Sequence, residues 1–155
     1  MLKLSRRCLM LVIILTFVSF AYGQKPTPTV TGPEKVSQFI KKSPHKFKLV
    51  EKNIWTVTDG ETTAIVTADA EYVIAFAILA QKGGYKVTSE SMSEMLKYAG
   101  QADFIKIVID DGGDLALKIE AKPRGLDQKD FDEMVGQVLA ATAEASAKLA
   151  PFLVK

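Results

Sequence analysis

The sequence predicts an α+β domain in which a five-stranded antiparallel sheet is packed by helices, in the order α-β-β-β-α-β-β-α. Three stretches of the 155 residues carry that prediction. Residues 104–123, FIKIVIDDGGDLALKIEAKP, hold two runs of period-two alternation around an Asp/Gly turn. Residues 127–152 hold one apolar stripe at helical spacing, and residues 46–80 are rich in β-branched and aromatic side chains.

The first 23 residues read as a secretory signal peptide. Lys3, Arg6 and Arg7 precede an uncharged run over 8–20, and Ala21-Tyr22-Gly23 places small residues where cleavage occurs. That run is shorter than the ~20 residues a membrane-spanning helix needs. Residues 24–33 contain QKPTPTVTG, with no hydrophobic period, and read as a disordered linker. A first helix follows to Ser43-Pro44. Thr31 and Glu34 have capping-box spacing, Pro33 suits a first turn, and Val36, Phe39 and Ile40 recur at helical offsets.

Strand patterning then runs from Lys46 to Ala80. Phe47 and Leu49 alternate with lysines, residues 54–58 are IWTVT, Asp59-Gly60 is a turn dipeptide, and residues 63–67 and 72–80 follow. The meander is counted as three strands. Within its last strand, Ile74, Phe76 and Ile78 occupy one face and Val73, Ala75, Ala77 and Leu79 the other, which predicts an interior strand covered on both sides. Gly83-Gly84 ends the meander. Ser91 and Glu94 have capping-box spacing, and Met92, Met95, Leu96 and Ala99 fall on one face of a second helix closed by Gly100. The 104–123 hairpin comes next. Asp127 then caps a long helix striped by Phe131, Met134, Val135, Val138, Leu139, Thr142, Ala145, Leu149 and Phe152.

Charge and composition exclude several functions. Without the leader, 17 basic residues face 18 acidic ones, so the basic excess of the full chain belongs to the leader. Nucleic-acid binding normally leaves a clustered basic face, and only Lys41, Lys42, Lys46 and Lys48 gather locally, near the domain's start. The one cysteine, Cys8, lies in the leader, so the mature chain has neither a disulfide nor a thiol nucleophile. His45 is the sole histidine, which leaves no triad and no zinc site. Asp110, Asp111 and Asp114 could offer oxygen ligands, but they lack calcium-loop spacing, and Asp and Gly are what a tight turn requires. No cofactor and no enzyme activity are predicted.

The chain resembles the YbjN-like family, which shares the fold of type III secretion chaperones. The matching positions are Ile54-Trp55, Glu71-Tyr72-Val73 leading into Ala75-Phe76-Ala77, the helix ending near Leu96, residues 107–117 (IVIDDGGDLAL) with Glu120, and the helix from Phe131. They span residues 34–153. Secretion chaperones dimerise and hold partner polypeptides, so the resemblance implies a homodimer that engages a protein or peptide. They work in the cytoplasm, from which the leader of this chain departs.

The resulting expectation is a non-enzymatic, exported bacterial binding module, periplasmic or extracellular, free of membrane after cleavage. Met92, Met95 and Phe131 are the expected partner contacts, since methionine repacks around varied surfaces. The contrasting expectation is a sensor that holds a small apolar ligand in a cavity between the sheet and the C-terminal helix.

Overall fold

The computed structural model describes residues 31–102 and 104–154. The expected leader and most of the expected linker lie outside them. Helix α1, Gly32–Lys42, starts inside the segment read as linker because its capping box forms: Glu34 N donates to Thr31 Oγ1 at 3.4 Å and Thr31 N to Glu34 Oε2 at 3.0 Å. Gly32 lies so close to the turn before β4 that a Cβ there would fall 2.0 Å from the Asp69 carbonyl oxygen, so only glycine fits without backbone movement.

The sheet has six strands, not five. They are β1 Phe47–Glu51, β2 Ile54–Asp59, β3 Thr62–Ala68, β4 Val73–Ala80, β5 Lys106–Ile109 and β6 Leu115–Ala121, ordered β1-β2-β3-β4-β6-β5 with every neighbouring pair antiparallel. The additional strand is β1. Asn53, at φ +62°, turns the chain between β1 and β2 without a glycine or proline to mark the break.

Helix α2, Ser89–Gln101, lies between β4 and β5 in the chain, and α3, Gln128–Leu149, follows β6 and continues into a 3-10 turn, Ala150–Phe152. Asp127 caps α3 as its spacing predicts, its carboxylate accepting from Asp130 N at 2.8 Å. The α3 stripe packs on one face of the sheet. Ala64, Ala75 and Ala77 keep that face low, and Val66, Leu117, Val135 and Val138 fill the space between, all fully buried. No described helix is long and apolar enough to cross a membrane.

β4 is interior to the sheet, between β3 and β6. Its second face is not covered as predicted. Ile74 and Phe76 are only half-buried and Ile78 is 42% exposed, because α1 and α3 pack on the Val73/Ala75/Ala77 side.

Candidate protein-contact surface

The second helix opens three residues before the predicted start. Its N-cap is Thr88, whose hydroxyl accepts from Ser91 N at 3.1 Å, while Thr88 N donates to Ser91 Oγ at 2.8 Å. Ser91 takes the role in the capping box that glutamate usually fills, and its hydroxyl, fully buried, donates to Lys86 O at 2.8 Å.

With that start, Met92, Met95, Leu96 and Ala99 face β5 and, with Val87, Ile107, Ile109 and Leu115, line a groove of about 320 Å³. The groove is apolar and open: Met92 is 52% exposed, Leu96 71%, Val87 61% and Ile109 54%. Contiguous exposure of this kind is the usual mark of a protein contact, whereas single exposed apolar residues are ordinary. Glu94 and Lys97 pair at 2.6 Å on the helix surface, and the carboxylate holds the Lys97 ammonium above its usual range.

One buried contact anchors α2 to the body. The Tyr98 hydroxyl donates to Ala141 O of α3 at 3.0 Å, and burial, followed by the Glu144 charge, raises its pKa above the usual phenol value. Lys148 caps the ring, its ammonium 5.2 Å from the centroid.

The structure thus brings Met92 and Met95 to one surface and leaves Phe131 out of it. Phe131 is fully buried, with ring centroids 5.4 Å from Phe39 and 5.8 Å from Phe47, so it offers a partner no surface. Sequence reasoning missed Leu96 and Ile109 as members of the groove. Leu96 had the right helical offset, but nothing in the pattern of 105–109 told which face of β5 would lie beneath α2.

The other candidates resolve as structure. Asp110 Oδ1 accepts from Asp114 N at 2.9 Å and Asp114 Oδ1 from Lys82 N at 2.8 Å, which is turn chemistry. Trp55 is 7% exposed and belongs to the core. Among the described residues no three metal-ligating side chains gather. On the open face of the sheet Glu120 bridges Lys106, at 2.6 Å, and Lys118, at 3.0 Å, and these two ammonium groups hold its carboxyl below the usual range. The layer between sheet and α3 is filled by Val66, Ala75, Leu117, Val135 and Val138, which does not favour a ligand cavity there.

No protein-family model and no curated protein matches the sequence. Solved structures match the fold. One chain of the heterodimeric ExoU–SpcU complex from the type III secretion system of Pseudomonas aeruginosa aligns with a TM-score of 0.60 and 12% identity, over 75% of this chain and 98% of that one. YbjN from E. coli aligns at 0.58 and 13%, over 83% and 100%. A protein from Methanothermobacter thermautotrophicus aligns at 0.52 and 8%, over 76% and 96%. The chain therefore has the α+β fold shared by YbjN and a component of a secretion complex.

Proposed function

We propose that the protein is a non-enzymatic, exported binding module that pairs with a second copy through the α2–β5 groove and engages a protein or peptide. The observation that carries this reading is the groove itself, in which Val87, Met92, Leu96 and Ile109 stand exposed side by side. Desolvating such a surface releases on the order of 25 cal/mol per Å² of apolar area. The membership of one fold neighbour in a heterodimeric complex supports polypeptide binding by this architecture. Export rests on residues 1–23 alone.

Light scattering tests the pairing. The chain without its leader is expected to run as a dimer, and Met92→Glu as a monomer with unchanged circular dichroism. A monomeric parent protein at about 100 μM, a concentration well above the affinity of a specific interface, would defeat the homodimer. Polypeptide binding is tested by retention of reduced α-lactalbumin in solution; no saturable protection would defeat the module reading.

A further inference from the structure

Beyond residue 23 the sequence holds three methionines, Met92, Met95 and Met134, and no cysteine, so its oxidisable sulfur is all thioether. The fold exposes the three very unequally. Met134 is 5% exposed within the core and Met95 is partly buried against it, whereas Met92 is 52% exposed on the wall of the α2–β5 groove. That exposure is built in, because α2 is fastened at two points. Ser91, the residue before Met92, is fully buried and held by Thr88 N and Lys86 O, and Tyr98 is tied to Ala141 O about two turns further on. The helix therefore has one rotational setting, and Met92 faces outward in it.

We propose that Met92 is an oxidation switch for pairing: a peroxide converts its thioether to the sulfoxide, and the sulfoxide keeps the chain from a second copy. The proposal rests on the pairing reading above and names what regulates it. In the step the sulfur attacks one peroxide oxygen, the O–O bond breaks as an S–O bond forms, and the second oxygen leaves as water. Sulfur gives up two electrons and the peroxide takes them. The product is polar, and every side chain lining the groove is apolar, so none of them can donate a hydrogen bond to the new oxygen. Covering that oxygen without a donor is costly, which favours the unpaired chain.

The fold itself is indifferent to the change. Met92 is not among the buried residues of α2, so its sulfoxide displaces nothing in the core. Oxidation of Met134 would place the same polar group in the core, where it disrupts packing, and burial is what shields that thioether. Pairing in turn covers Met92, so assembly and oxidation compete for one sulfur atom.

The test treats the chain without its leader with hydrogen peroxide, reading oxygen uptake at each methionine by peptide mass mapping and assembly by light scattering. Met92 is expected to react about tenfold or more faster than Met134, and more slowly as chain concentration rises through the pairing range. The dimer dissociation constant is expected to rise about tenfold or more, with circular dichroism unchanged, and methionine sulfoxide reductases to restore it. Met92→Gln, polar without any oxidant, is expected to be monomeric. A dimer that persists with Met92 fully oxidised, or in Met92→Gln, would overturn the switch and leave pairing standing. So would a loss of dimer that tracks oxygen uptake at Met95 or Met134, or that the reductases fail to reverse. A Met92 rate independent of chain concentration would also overturn it, by placing the thioether outside the contact. A parent chain that is monomeric before peroxide is added would remove the pairing reading, and the switch with it.

Discussion

Helix α3 buries nine residues between Phe131 and Leu149, whereas α2, with apolar side chains at the same helical spacing, buries only Ser91 and Tyr98. The two stripes differ in what lies beneath them. α3 crosses β3, β4 and β6, whose alanines keep the surface low and wide enough to take the whole stripe. α2 meets β5, a four-residue strand at the edge of the sheet, so Met92 and Leu96 project beyond it. Amphipathicity reports that a helix has an apolar side; the width of the opposing surface decides whether that side becomes core or contact.

The largest test of this contrast lies in α3. Phe131→Ala removes a ring packed between Phe39 and Phe47 with no solvent to replace it, and is expected to cost about 3–5 kcal/mol. Chemical denaturation measures it. A loss below about 1 kcal/mol would mean that the site collapses freely and that α3 is not the rigid partner in the comparison.

The same contrast explains how far the fold was legible in the chain. α3 declared itself through the Asp127 cap and a stripe long enough to leave no alternative, and the Thr31 capping box placed α1. β1 merged into its neighbour because Asn53 alone supplies the left-handed turn, and residues that tolerate that conformation also occur in ordinary loops. The start of α2 was misplaced because Ser91 can be read as a cap or, as here, as the third residue answering one at Thr88. Sequence spacing grouped Phe131 with Met92 and Met95, but burial is a property of the facing surface, which spacing does not encode. The open face of β4 was missed for the same reason, since an apolar face was taken to imply a cover.

Tyr98 supplies the second test, because it is the point where the exposed helix is fastened to the buried one. Tyr98→Phe keeps the ring and removes the phenolic donor to the Ala141 carbonyl, at an expected cost of about 1 kcal/mol. Faster hydrogen exchange in α2, with α3 unchanged, is the accompanying sign. Equal acceleration in both helices would show that they open as one unit and would weaken the distinction between them.

Glu120 gives a control on the open face of the sheet, away from both stripes. Its carboxyl is held below its ordinary value of 4.5 by Lys106 and then Lys118, so the stabilisation is fully present above that value and is lost as the pH falls through the lower folded one. Glu120→Gln is expected to reduce stability by less than about 1 kcal/mol at pH 7 and to flatten the acid limb of the stability curve. An unchanged acid limb would show that the two lysines release the carboxylate in solution.

Leu96 carries the smallest expected effect on stability and the sharpest reading of the comparison. It is 71% exposed in the middle of α2, and lysine has nearly the same helix propensity as leucine, so Leu96→Lys should change the unfolding free energy of the isolated chain by no more than about 0.5 kcal/mol. Its consequence belongs to assembly. If α2 owes its apolar stripe to a second copy, the substitution introduces a charge into that contact and converts a dimer to a monomer in light scattering. A loss of several kcal/mol at a dilution where the protein is already monomeric would contradict this, because it would place Leu96 in the same energetic class as Phe131 and make α2 part of the core.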